Sequence, residues 1–140
     1  MLLVEDNEDD ALLLEIACRK AGVDCAVIHV SRRGQALNYL RGEGAYGERD
    51  RYPFPRLVLI DLEMPMMEGW QILTRIRREP AWNELPLIGL TSLIEPNEAS
   101  RAYRQGISSL LVKPVDFHDY VMSVRDLAAR CLSNDVQMAA

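Results

Sequence analysis

The chain has few cysteines, no long apolar run and only a small excess of charge. Its three cysteines, Cys18, Cys25 and Cys131, are widely spaced and form no CxxC pair. This spacing excludes a disulfide framework or a cysteine zinc site and is typical of reduced thiols in a cytosolic protein. No stretch approaches the roughly 18 apolar residues of a membrane helix. The chain also opens without a signal-like segment. We therefore expect a cytoplasmic protein without membrane contact.

Length and composition indicate one globular domain. The 140 residues are 49% hydrophobic and 26% charged, which is enough to bury a core. The net charge of −5 argues against a general nucleic-acid surface. The densest basic cluster, Arg75, Arg77 and Arg78, lies at the end of a predicted helix, where cations complement the helix dipole. We expect no nucleic-acid partner.

Strand-like and helix-like segments alternate five times. Short apolar runs predict strands at residues 2–5, 25–30, 57–61, 87–91 and 110–113. Helical patterns follow at 7–21, up to 40, near 70–78, at about 97–105 and from 117 onward. Ser31 is the predicted cap of the second helix and Asp116 that of the last. Such alternation predicts a parallel sheet with helices on both faces.

The connection at residues 42–56 is unusually long and rich in glycine, proline and charge. It suits either a partner-contact loop or a mobile insertion, and the sequence favours the second. Its first six residues, GEGAYG, match the dinucleotide fingerprint G-x-G-x-x-G. That fingerprint must follow a strand and open a helix, whereas these glycines follow a helix. We therefore reject nucleotide binding at this segment.

Chemically active residues follow four of the predicted strands. Glu5 and Asp6 end the first, Asp61 the third, Thr91 the fourth and Lys113 the fifth. Ligands of open α/β sheets bind just beyond the carboxyl ends of the strands. Each residue also has an ordinary explanation, as a helix cap or a turn. Their joint occurrence at strand ends is much harder to explain in that way.

Grouped carboxylates at this edge favour a magnesium site. Close like charges are unfavourable without a cation, and Mg²⁺ accepts a few carboxylate oxygens while bridging to phosphate. No calcium-loop pattern occurs, and His29 and His118 are too isolated for zinc. An aspartate carboxylate can also accept a phosphoryl group as a nucleophile. Asp61 is the best candidate, with Lys113 and Thr91 available to bind phosphoryl oxygens.

The ordered motifs identify a family. From residue 1 to about 132 the chain resembles the receiver domains of two-component response regulators. The matching segments are LLVEDN at 2–7, LIDLEMP at 59–65, MEG at 67–69, LTS at 90–92 and VKPV at 112–115. The resemblance implies a flavodoxin-like, doubly wound, five-stranded parallel sheet with strand order 2-1-3-4-5. It also implies a receiver at 1–132, a C-terminal tail at 133–140 and no output domain.

The resemblance further implies a mechanism. Asp61 would accept a phosphoryl group from a sensor histidine kinase or phosphotransfer protein, without the chain being an enzyme. Mg²⁺ would be bound directly by Asp6, through water by Glu5, and by Asp61 and the backbone carbonyl of Glu63. Thr91 and Lys113 would bind the phosphoryl oxygens. The bond before Pro114 is usually cis in this family.

The resemblance also implies which surface signals. Phosphorylation would reshape the surface of the fourth helix, fifth strand and fifth helix, which would bind a downstream protein target, a kinase or another copy of the chain. Many receivers carry an aromatic residue three positions before the lysine, whereas this chain has Leu110. With the long 42–56 insertion and no output domain, the chain looks like stand-alone receivers that partner bacterial phytochromes.

Two rival functions remain at this point. The first is an aspartyl-phosphate hydrolase on a similar sheet, but those enzymes need Asp-x-Asp after the first strand. Neither the segment Glu5-Asp6-Asn7 nor the segment Asp61-Leu62-Glu63 provides that pattern. The second is an adaptor that binds its partner without phosphate, which the replacement at Leu110 keeps open.

Overall fold

The structure is a computed structural model that describes residues 1–23, 26–92, 95–113 and 116–131. Five strands alternate with five α-helices in this part of the chain. The strands are β1 (Leu2–Val4), β2 (Ile28–Val30), β3 (Val58–Asp61), β4 (Leu87–Thr91) and β5 (Ser109–Val112). The helices are α1 (Glu8–Lys20), α2 (Arg33–Arg41), α3 (Glu68–Arg78), α4 (Pro96–Arg104) and α5 (Phe117–Cys131).

All five strands form one parallel sheet in the order β2-β1-β3-β4-β5. The central strands β1, β3 and β4 are buried along their whole length, as their apolar runs predict. The flavodoxin-like fold with order 2-1-3-4-5 is therefore confirmed. Because every strand points the same way, the carboxyl ends of the strands meet at one edge.

The core divides into two apolar layers, one on each face of the sheet. One layer packs α2, α3 and α4 against the sheet, and Ile72 and Ile76 of α3 are fully buried in it. The other layer contains α1 and α5, with Leu14 and Val124 among its buried residues. The alternate side chains of each buried strand supply both layers, which gives the predicted arrangement of helices on both faces.

Of the two helix caps predicted from the sequence, Asp116 is confirmed and Ser31 is wrong. Asn7 caps α1 by accepting a hydrogen bond from the Asp10 amide at 2.9 Å. Asp116 accepts from the Asp119 amide at 3.1 Å at the start of α5, as predicted. The prediction that Ser31 caps α2 is wrong, because Arg32 occupies the N-cap position. The Ser31 amide instead donates to the side chain of Gln35 at 3.0 Å.

Some expectations fall on residues outside the described ranges. Strand β2 was predicted from residue 25, and the structure begins it at Ile28. Cys25, the peptide bond to Pro114 and the tail 133–140 lie outside the residues that the structure describes. The family's cis peptide bond stays a prediction for this chain.

The long 42–56 connection packs against α2, contrary to the favoured expectation of a mobile insertion. The guanidinium of Arg49 donates to the carbonyl oxygens of Tyr39, Leu40 and Tyr52 at 2.8 to 2.9 Å. It thereby donates to carbonyl oxygens in the last turn of α2, where few intrahelical donors remain. The ring of Tyr46 lies 5.0 Å from that of Tyr39. Gly42 caps α2 in the left-handed region, so the GEGAYG segment follows a helix, as predicted.

Candidate functional site

The strand register places the predicted site residues side by side. Val4 pairs with Ile60, so Glu5 and Asp61 are the next residues on adjacent strands. Asp61 pairs with Leu90, and Thr91 follows. Thr91 pairs with Val112, the residue before Lys113. The sheet therefore brings Glu5, Asp61, Thr91 and Lys113 to one edge, as the sequence predicted.

Three carboxylates gather at this edge. Glu5, Asp6 and Asp61 each offer an oxygen, and the three oxygens lie within 4.8 Å of one another. Glu5 and Asp61 are buried, whereas Asp6 is exposed. Hard oxygen donors with one side open to solvent suit Mg²⁺, which keeps several of its waters. Among the residues predicted from the sequence, these three have the donor set of a divalent-cation site.

One ammonium group lies among the carboxylates. The Nζ atom of Lys113 is 2.9 Å from Glu5 Oε1 and 3.1 Å from both Asp61 Oδ2 and Asp10 Oδ2. Burial by itself lowers the pKa of Lys113, but the carboxylates outweigh it and raise that pKa above its usual value. Lys113 is therefore a permanent cation in contact with the candidate acceptor.

Lys113 is one cation in contact with three carboxyl groups, so ionisation of the buried Glu5 is unfavourable. Burial raises the pKa of Glu5 to about 8, and contact with Asp61 adds to the rise while Lys113 opposes it. The folded protein thus prefers neutral Glu5 over the pH range in which an unfolded chain ionises it. As the pH rises from 4.5 to about 8, the unfolded chain gives up the Glu5 proton while the metal-free fold retains it, so the free energy of unfolding falls.

We expect Glu5→Gln to stabilise the metal-free protein at pH 8. Glutamine keeps the shape of the side chain and cannot ionise, so the free energy of unfolding of the variant does not fall with pH through this residue. The gain should be on the order of 1–2 kcal/mol, since the ion pair with Lys113 is lost as well. It should shrink toward pH 5, where Glu5 of the unfolded chain is also partly protonated. Urea denaturation at both pH values, in metal-free buffer, measures the difference.

Glu43→Gln is the matched control, since it removes the same charge from an exposed glutamate. Its free energy of unfolding should stay within about 0.5 kcal/mol of wild type at both pH values. Adding Mg²⁺ at pH 8 should stabilise wild type more than Glu5→Gln, because a cation relieves the carboxylate repulsion. Equal stability of Glu5→Gln and wild type at pH 8 would contradict this account of Glu5.

The turn after Asp61 is fixed by local contacts. The Glu63 amide donates to Asp61 Oδ1 at 2.8 Å, which leaves Oδ2 facing Lys113. The Glu63 carboxylate accepts from the amide and hydroxyl of Ser92 at 2.6 and 2.8 Å. A Cβ at Gly69, in the first turn of α3, would overlap the Asp61 carbonyl oxygen. These contacts hold the Asp61 carboxylate, the candidate acceptor, in one orientation.

Thr91 and Leu110 line a cavity beside the carboxylates. The cavity has a volume of about 300 Å³ and lies against the first turns of α4. Leu110 occupies the position at which many receivers carry an aromatic side chain. Thr91 is mostly buried at the end of β4. The threonine therefore has room on one side for a change of rotamer.

Sequence reasoning missed two residues of the site. Asp10 contacts Lys113 although 103 positions separate them. Its local signal was its place among three acids in the first turn of α1, shortly after Glu5 and Asp6. The second is Ser92, which contacts Glu63. No local pattern predicted that contact, because it joins the loops after β3 and β4.

Comparison with known proteins agrees with this geometry. The profile of the response regulator receiver domain matches residues 1–125. The solved structure of response regulator RPA3017, from red light signaling of R. palustris, superposes with a TM-score of 0.86 at 30% identity. The match covers 91% of this chain and 90% of that one.

Two cyanobacterial response regulators are also similar to this chain. The phosphorylated phytochrome response regulator RcpA has a TM-score of 0.81 at 27% identity, covering 95% of this chain and 93% of that one. The Mn²⁺-bound form of response regulator Rcp1 from Synechocystis sp. has a TM-score of 0.76 at 25% identity, covering 91% and 90%. None of the described helices has the length and apolar character needed to cross a bilayer. The sequence motifs, the sheet order and the profile match agree: this chain belongs to the response regulator receiver domain family.

Proposed function

We propose that the chain is a phosphorylation switch in which Asp61 accepts a phosphoryl group from a sensor histidine kinase or a phosphotransfer protein. The observation that carries the proposal is the contact of Asp61 Oδ2 with Lys113 Nζ, at 3.1 Å, beside Glu5 and Asp6. Nucleophile, cation and metal donors thus share one edge of the sheet. The receiver would comprise residues 1–132.

In the transfer, a carboxylate oxygen of Asp61 attacks phosphorus. The bond from phosphorus to the imidazole nitrogen of the donor breaks, and the new bond is an acyl phosphate. The hydrogen bond from the Glu63 amide holds Oδ1, so Oδ2 is the attacking oxygen. Lys113 and the Thr91 hydroxyl would then pair with the phosphoryl oxygens. The site works by positioning and charge neutralisation.

The donor set fits Mg²⁺. Asp6 would bind it directly and Glu5 through water, together with Asp61 and the backbone carbonyl of Glu63. A bound divalent cation neutralises charge on the transferring group. The pKa of Glu5 is raised first by burial and then by contact with Asp61, and a bound cation would offset both effects, which supports the assignment. The Mn²⁺ in Rcp1 supports a divalent metal in a related protein.

The signalling surface would comprise α4, β5 and α5. The cavity between Thr91, Leu110 and α4 supports this placement, because it lets Thr91 move toward a phosphoryl group. That movement would draw the loop before α4 with it and present a changed surface to a downstream protein or a second copy of the chain. The likeness to RPA3017 and RcpA supports a phytochrome-type kinase as the phosphoryl donor.

Acetyl phosphate tests the proposal without knowledge of the kinase. Wild-type protein incubated with acetyl phosphate and Mg²⁺ should gain the mass of one phosphoryl group. Borohydride reduction followed by peptide mass analysis should place the group on Asp61. Chelating the metal should abolish the adduct. An adduct on another residue would overturn the assignment of Asp61.

The rival functions give different results in the same experiment. A hydrolase would turn over a generic phosphomonoester, whereas a switch should leave it intact. An adaptor would gain no adduct and would bind its partner equally with and without a phosphoryl analogue. Either result would replace the proposal of a phosphorylation switch.

A further inference from the structure

A second cleft lies away from the carboxylates, between α2, α3 and α4, and is lined by apolar side chains such as Trp70 as well as by polar and charged ones. The cleft has a volume of about 610 Å³. All three helices contribute polar or charged residues to its lining: Arg33 from α2, Gln71, Arg75 and Arg78 from α3, and Arg101 from α4. Residues 71, 75 and 78 recur at the spacing of one helical face. None of the residues proposed for phosphoryl transfer lines this cleft.

The cleft is strongly positive in a chain of negative net charge. Four arginines line it and no carboxylate does, whereas the whole chain carries −5. Arg75 pairs with Glu79 at 3.9 Å, and both side chains are more than a third exposed. Such a pair neutralises little of the charge. Arg77 turns away, donating to the Gly106 carbonyl oxygen at 2.9 Å. The cleft therefore concentrates positive potential.

Side-chain contacts hold two of the guanidiniums in place. The Cζ atom of Arg101 lies 4.4 Å from the centre of the Trp70 ring, which supports it by a cation–π contact. Arg33 donates to the Gln71 side chain across the helix pair. Guanidiniums fixed in this way lose little further freedom on binding an anion. They offer planar forks that match phosphate oxygens bidentately.

We propose that this cleft binds a small anion that carries more than one phosphate group. The four arginines come from three helices around a cavity of small-molecule volume, so an anion that contacts arginines on opposite sides must be longer than one phosphate. A covalently attached phosphoryl group at Asp61 is not required, so this proposal stands apart from the function proposed above.

Isothermal titration of pyrophosphate and tripolyphosphate into the full chain tests the proposal. The buffer is metal-free and low in salt, so that the carboxylates near Asp61 repel the probe. Wild type should bind, tripolyphosphate more tightly than pyrophosphate, and added salt should weaken binding. Arg101→Gln should weaken binding roughly tenfold or more. Arg78→Gln should do the same without disturbing Trp70, which guards against a folding defect in Arg101→Gln.

Arg104→Gln is the matched control, because this exposed arginine lies on the same helix outside the cleft. Its affinity should stay within about twofold of wild type. Lys113→Met should also keep binding the probe. Equal weakening by Arg104→Gln, or loss of binding in Lys113→Met, would overturn the proposal. The proposal would also be overturned if the wild-type protein bound neither pyrophosphate nor tripolyphosphate. Binding of an oligoglutamate peptide in their place would indicate that the cleft binds an acidic protein segment instead.

Discussion

Replacing Asp61 by asparagine is expected to abolish phosphoryl uptake while leaving the fold intact. The amide nitrogen of asparagine is not nucleophilic, so no acyl phosphate can form. Asparagine Oδ1 can still accept the hydrogen bond from the Glu63 amide, so the turn keeps its shape. Lys113 keeps Glu5 and Asp10 as partners. Intact mass after incubation with acetyl phosphate and Mg²⁺ should show an adduct on wild type alone.

Asp10→Asn is the matched control for this experiment. It makes the same change of charge and shape in another carboxylate that contacts Lys113, at the same 3.1 Å. It should still accept one phosphoryl group. An adduct on Asp61→Asn at the wild-type level would show that the acceptor lies elsewhere. Loss of the adduct in both variants would show that the effect acts through the charge around Lys113 rather than through the nucleophile.

Replacing Gly69 by alanine is expected to destabilise the fold by about 3 kcal/mol. The added Cβ would overlap the Asp61 carbonyl oxygen and lie 3.1 Å from the Asp61 carbonyl carbon. Both are backbone atoms, so the start of α3 or the end of β3 must move. Because the same peptide carries the candidate acceptor, folded Gly69→Ala should also take up phosphoryl groups more slowly. Urea denaturation and the time course of acetyl phosphate labelling measure the two effects.

Gly34→Ala is the control for the backbone effect of losing a glycine. Gly34 lies in α2, and a Cβ there would meet no atom within 4 Å. Alanine should leave stability unchanged or raise it by up to about 1 kcal/mol, because it favours the helix. A Gly69→Ala variant as stable as Gly34→Ala would show that α3 shifts freely and that the close approach does not position Asp61.

The sheet was predictable because a strand that is buried on both faces consists of consecutive apolar residues, which can be read from the local sequence. Strand β4 was predicted at 87–91 and spans Leu87–Thr91, since an uninterrupted apolar run marks a strand covered on both sides. The cap of α2 was not predictable in the same way. Ser31 and Arg32 are adjacent, and the Gln35 side chain binds the Ser31 amide, which shifts the start of the helix by one residue. Such competition between neighbouring polar groups has no periodic signal.

The 42–56 connection is a longer segment whose contacts also could not be predicted from local sequence. Its composition is that of a loop, and composition alone favours mobility. The structure packs it through Arg49 and a cluster of tyrosine rings, of which Tyr46 and Tyr52 belong to the connection and Tyr39 to α2. A single half-buried guanidinium that donates to several carbonyl groups can order a segment that its composition marks as irregular.

The sequence by itself determined the parallel sheet, the order of its motifs and the edge at which Glu5, Asp61, Thr91 and Lys113 meet. These follow from apolar runs and from the residue that ends each run, both of which are local. Only the tertiary structure decided that Asp10 contacts Lys113 and that Arg33, Arg75 and Arg101 share one cleft. The reason is that such contacts depend on how helices from distant parts of the chain pack against the sheet, and no local periodicity encodes that arrangement.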